Sequence, residues 1–66
     1  MKMIVNGKPL DHPGPGALLE VLRQLGAAPE HVAVMVNDAI VRRADFDTRR
    51  LCEGDRVDVL TLARGG

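Results

Sequence analysis

The spacing of apolar residues changes along this chain, and each change marks an element. Lys2 to Asn6 is short, apolar and partly β-branched, and Asn6-Gly7 is the dipeptide that best accepts the positive φ angles of a type I′ turn. A β-hairpin is expected to open the fold, its second strand running over Lys8 to His12. Pro13-Gly14-Pro15-Gly16 ends that strand, because two prolines lack backbone donors and two glycines loosen the path. From Ala17, Leu18, Leu19, Leu22 and Leu25 recur at helical spacing, with Glu20, Arg23 and Gln24 on the other side and Gly26 placed as a cap. Ala27 to His31 is a connector. Val32 to Val36 is too short and too β-branched for a second helix and reads as a largely buried strand. Asn37-Asp38 turns it into Ala39-Ile40-Val41. Periodicity then fades between Arg42 and Cys52, where Phe46 and Leu51 are isolated apolar anchors. Glu53-Gly54-Asp55 signals a turn before a last strand, Arg56 to Leu62.

Strand, strand, helix, strand, strand, strand in so short a chain implies a mixed sheet of about five strands curled around one helix, an α+β fold. The helix after the first hairpin supplies a crossover that places the last strand beside the first in parallel. One face of the sheet is covered and the other is left partly exposed. This is the β-grasp, or ubiquitin-like, arrangement. A chain of 66 residues has room for one such domain over 1–66 and for one modest core. A built-in cleft for an ordinary enzyme is not expected.

Composition narrows the partners. Hydrophobic residues are 45% and charged residues 27% of the chain, the balance of a folded globular domain. The formal net charge is +0, so no global field draws the protein to nucleic acid or to an anionic membrane. Cys52 is the sole cysteine, which excludes an internal disulfide and suits a reducing compartment, the cytoplasm by default. The N-terminal apolar stretch is broken by Asn6-Gly7 and Lys8-Pro9, too early for a signal peptide or a membrane span.

The chemistry is expected at Gly65-Gly66, directly after the last strand. Glycines carry no Cβ, so this dipeptide is the thinnest peptide that can enter a narrow tunnel in another enzyme. A carboxylate at Gly66 is a poor electrophile at neutral pH, so a carrier role requires activation as an acyl-adenylate by a separate enzyme. Gly14 and Gly16 alternate with prolines and form no nucleotide-binding loop, so ATP belongs to that partner and no cofactor is expected on this chain. The chain contains no serine, which removes serine-nucleophile catalysis.

The residues at the turns and at the tail resemble the ThiS family, the small sulfur carrier proteins of thiamine biosynthesis within the ubiquitin-like carriers. The resemblance covers essentially the whole chain. Ile4-Val5-Asn6-Gly7 carries it at the start, Val36-Asn37-Asp38-Ala39-Ile40-Val41-Arg42-Arg43 in the middle, and Gly54-Asp55-Arg56-Val57 leads to Gly65-Gly66. Arg42 stands where members often have proline. The resemblance implies that an adenylyltransferase related to ubiquitin-activating enzymes adenylylates Gly66. Conversion to a thiocarboxylate follows, with sulfur from a cysteine desulfurase persulfide and delivery to a thiazole synthase. The carrier itself catalyses nothing. Arg64 looks more like the Arg-Gly-Gly end of ubiquitin, so conjugation to target proteins stays open beside sulfur delivery to molybdopterin or another product. A third class is a pure binding module, although the neutral charge and single aromatic residue speak against RNA.

Further residues carry paired readings. Leu60 and Leu62 lie where the alternation of the last strand gives way, and are either a docking patch for partners or core under a twisted sheet. Arg64 either guides the tail into a partner or is a solvated charge. Arg42, Arg43, Arg49 and Arg50 flank Phe46, with Asp45 and Asp47 cancelling much of their field, and solvation is the simpler reading. Phe46 reads as a core plug. Cys52 reads as a buried or bystander thiol, and His12 and His31 as surface residues without a second ligand at metal spacing.

Overall fold

The computed structural model describes residues 1–13 and 16–62. Its strands are β1 (Lys2–Val5), β2 (Lys8–Asp11), β3 (Val32–Val36), β4 (Ala39–Val41) and β5 (Arg56–Thr61), with one helix, α1 (Leu18–Leu25). Short 3₁₀ turns occupy Pro29–His31 and Arg43–Asp45. The strands form one mixed sheet in the order β2-β1-β5-β3-β4. β5 is last along the chain and central in the sheet, parallel to β1 and antiparallel to β3.

Both hairpin turns use left-handed backbone, as expected at Asn6-Gly7. Asn6 and Gly7 have φ of 51° and 80°, and Asn37 and Asp38 have φ of 50° and 69°. α1 ends at Gly26, whose φ of 73° lets the Gly26 N–H reach the Arg23 carbonyl at 3.0 Å and the Ala27 N–H reach the Leu22 carbonyl at 2.9 Å. At its start Ala17 supplies no side-chain cap. The Arg49 carbonyl accepts from the Leu18 N–H at 2.8 Å and the Phe46 carbonyl from the Leu19 N–H at 2.9 Å, so the aperiodic segment caps the helix. An Ala17 to Arg50 bridge and a Leu51 N–H to Gly16 carbonyl bond, 3.2 Å, complete that seam.

Strand alternation and the helix stripe meet in one core. Met3, Val5, Val34, Val36 and Val57 from the sheet pack on Leu18, Val21 and Leu22, closed at one end by Phe46 and Leu51. Phe46 is a core residue, as expected. The helical stripe is rotated from the leucine pattern: Val21 is fully buried, whereas Leu25, at the last turn, is exposed.

His12 departs from its expected surface position, for it is only 7% exposed. Its Nδ1 lies 2.7 Å from Gln24 Oε1, which can only accept, so Nδ1 carries a proton. Its Nε2 lies 3.8 Å from the Glu20 carboxylate. Gly16 makes room for this arrangement, since a Cβ there would come within 2.7 Å of His12 Nε2 and 2.5 Å of Glu20 Oε2. The histidine is a satisfied interior residue that ties the end of β2 to α1.

Candidate functional site

Two asparagines anchor β5. Asn6, after β1, accepts from the Val59 N–H through Oδ1 at 2.7 Å. Asn37, after β3, accepts from the Arg56 N–H at 2.9 Å and donates from Nδ2 to Asp55 Oδ1 at 3.1 Å. Asp55 in turn accepts from the Cys52 N–H at 2.8 Å, and Arg56 pairs with Asp38. The first residues of both hairpin turns thus also hold the strand leading to the tail. The available signal was asparagine, rather than glycine, at the first position of both turns.

The helix covers one face of the sheet, and the other is apolar at its middle. Strand register puts Ile4 of β1, Ala33 and Met35 of β3, Ile40 of β4 and Leu60 of β5 on that open face. Ile40 is 78% exposed, Leu60 60% and Leu62 51%, and Ile4 is also exposed. Leu60 and Leu62 are therefore not core residues; the reading of them as core is corrected, because the register of β5 turns Leu60 away from the helix and Leu62, just past the strand, is exposed. Ile4 and Ile40 belong to the same patch and were not singled out in the sequence, although their alternation with Met3, Val5 and Val41 carried the signal. Arg56, Asp58 and Lys2 rim it with charge.

Arg64, Gly65 and Gly66 lie outside the described residues. Leu62 is the last described residue, its N–H bonded to the His31 carbonyl at 2.8 Å. Of the basic pairs, Arg42 meets Asp45 at 3.5 Å and Arg49 donates to the Arg50 carbonyl. Arg43 lines a shallow groove with Arg23, Leu19 and Phe46 on the helix side, away from the patch. Cys52 and His31 are exposed, and Cys52 has no basic side chain bonded to it among the described residues. No group of three or more His, Cys, Asp or Glu among the described residues is arranged to hold a metal ion. No helix among them is long and apolar enough to cross a membrane.

The strand order, the single crossed helix and the central last strand define a ubiquitin-like β-grasp domain with an open apolar sheet face. The family model of ThiS matches residues 3–66. The chain belongs to the ThiS family. It is similar to the crystal structure of the thiamine biosynthesis protein ThiS from Geobacter metallireducens, with a TM-score of 0.85, 35% identity and 100% of both chains covered. An NMR solution structure of a thiamine biosynthesis protein from the same organism gives a TM-score of 0.82 at 35% identity, covering 100% of this chain and 88% of that one. Among curated proteins, the chain is 38% identical over 66 residues to a thiazole synthase of Magnetococcus marinus, spanning 20% of that protein's length. It is 32% identical over 62 residues to the uncharacterized protein ycf40 of Pyropia yezoensis, covering 94% of this chain and 87% of that one.

Proposed function

We propose that this chain is a sulfur carrier of thiamine biosynthesis and that Gly66 is its point of sulfur attachment. Membership of the ThiS family along residues 3–66 carries the proposal. The carboxylate of Gly66 attacks ATP in the adenylyltransferase, releasing pyrophosphate and leaving a glycyl-adenylate. A persulfide sulfur, derived from a cysteine desulfurase, then displaces AMP to give an acyl persulfide. A second thiol cleaves the S–S bond, leaving the Gly66 thiocarboxylate and a disulfide. The thiocarboxylate is the nucleophile delivered to the thiazole synthase. The similarity to a segment of a thiazole synthase supports that partner.

In this scheme the chain supplies position rather than catalysis. Gly65 and Arg64 form the lead into the partner's active site, and the face bearing Leu60, Leu62, Ile4 and Ile40 docks the body of the carrier against the partner. The neighbouring asparagine bonds hold β5, so the tail starts from a fixed point.

The intact mass of the protein purified under non-reducing, non-acidic conditions from its own cells tests the reading. A gain of roughly 16 Da that maps to Gly66 and vanishes on Gly66 deletion is expected, and mapping separates it from oxidation at Met or Cys, which adds a similar mass. An unmodified Gly66, or Gly66 joined to lysines of other proteins, with the partner enzymes active, refutes it.

A further inference from the structure

β5 is flanked unequally on its two edges. On one edge β3 pairs with it from Val57 to Thr61, and the Leu62 N–H continues to His31. On the other, β1 pairs only at Ile4 with Arg56 and Val5 with Val57 before the chain turns away at Asn6-Gly7. Asn6 closes this short ladder, its N–H donating to the Val57 carbonyl at 2.9 Å and its Oδ1 accepting from the Val59 N–H. Backbone groups along a strand alternate in direction, so the Val59 carbonyl and the Thr61 N–H and carbonyl point to the same edge as the Val59 N–H. Among the described residues no strand pairs with them there.

A groove of about 430 Å³ opens beside this gap, lined by Asn6, Leu25, Ala27, Ala28, Val59 and Thr61. Leu25, displaced from the core by the rotation of the helical stripe, forms part of its apolar wall.

We infer that this free half-edge of β5 receives an extended backbone segment of the adenylating enzyme as an added strand, with one apolar side chain of that segment in the groove. The inference rests on the carrier reading. An acceptor at Val59 and a donor and acceptor at Thr61, two residues apart on one edge, match the repeat of an extended peptide, while the groove takes the side chain that such a strand turns toward the helix. Four residues, Ala63 to Gly66, follow Leu62. Four residues reach at most about 14 Å when extended, so an enzyme acting on Gly66 must bring its surface close to Thr61. A second copy of the chain is the weaker occupant, since stable interfaces need about 20 residues a side and this edge offers a few.

The test is ATP–pyrophosphate exchange by the purified adenylating enzyme of the same organism, with carrier concentration varied. Thr61→Pro removes the free N–H while leaving the β3 ladder, because proline is tolerated where the strand N–H faces no partner. Thr61→Val keeps the donor, and Leu25→Glu charges the groove wall. The expected result is a KM for carrier raised about tenfold by Thr61→Pro and by Leu25→Glu, kcat within about twofold, and a KM for Thr61→Val at least about threefold below that of Thr61→Pro. In the wild-type complex the Thr61 amide should exchange with solvent more than tenfold more slowly than in the free carrier. Val57 and Val34 amide shifts check that each variant is folded, and the exchange measurement on the wild type stands independently of them. Unchanged KM for both variants, or a Thr61 amide unprotected in the complex, overturns the inference while loss of exchange on Gly66 deletion keeps the carrier reading. Concentration-dependent Thr61 protection without enzyme assigns the edge to a second copy and overturns it too. No exchange with the full chain removes both.

Discussion

Replacing Asn37 by glycine distinguishes two reasons for an asparagine in the β3–β4 turn. If Asn37 serves only the backbone, glycine should be neutral or stabilising, because it takes the φ of 50° without a Cβ clash. The structure argues the opposite sign. Asn37 Oδ1 holds the Arg56 N–H at 2.9 Å and its Nδ2 bonds Asp55 Oδ1 at 3.1 Å, both across to the start of β5. Each such bond contributes about 0.5–1.5 kcal/mol net, and partial solvent access puts these two in the lower half of that range. The relief of left-handed strain and the added chain entropy of glycine are of similar size, ~1 kcal/mol, and opposite sign. The loss should therefore be about 1.5 kcal/mol, which lowers Tm by roughly 6–12 °C in a domain of this size. Urea unfolding followed by far-UV circular dichroism measures it, since the chain has no tryptophan. A cycle with Asp55→Ala should show coupling of at least about 0.5 kcal/mol between the two side chains. A Asn37→Gly variant as stable as the parent, or more so, refutes the argument.

Phe46→Ala should cost about 3–5 kcal/mol, because it empties the end of the core and disturbs the segment whose carbonyls cap α1; a population unfolded at 25 °C by circular dichroism is the expected sign. Gly16→Ala should destabilise by about 1–3 kcal/mol through overpacking against the buried His12 ring, and adding Glu20→Ala should recover only part of the loss, as read from urea midpoints. Leu60→Asp should change stability by less than about 0.5 kcal/mol, as expected for an exposed site, while weakening binding to the adenylating enzyme at least tenfold in isothermal titration.

The parts of the fold legible in the sequence were those written in local chemistry. Asn6-Gly7, Asn37-Asp38 and Gly26 marked turns and a cap because positive φ restricts residue choice at a single position. The five strands and the parallel placement of β5 beside β1 followed from their order around one helix. What escaped depends on partners far along the chain. His12 is interior because Gln24, Glu20 and the bare Gly16 surround it, and nothing in its immediate neighbours says so. Leu25 fits the leucine repeat as well as Leu22, yet it sits past the sheet residues that bury the stripe, while Val21 takes the interior place. Leu60 was ambiguous because a central strand can be covered on both faces, and only the single helix decides that one face stays bare. The tail residues Arg64, Gly65 and Gly66 were the most prominent chemical signal in the sequence; their role rests on the family and on the proposed test.

The position of β5 also governs the order in which the fold can assemble during synthesis. The β1–β2 and β3–β4 hairpins are local and can form as soon as each leaves the ribosome, on microsecond scales. Among the described residues the two hairpins do not pair with each other, and β5 is the strand that touches both. A nascent chain halted before Arg56 therefore holds two hairpins with unpaired inner edges and no continuous sheet, a state open to proteases and to pairing with other chains. The domain closes only when its final strand slides between them, so any Leu62 extending from a completed sheet belongs to a molecule that has already folded.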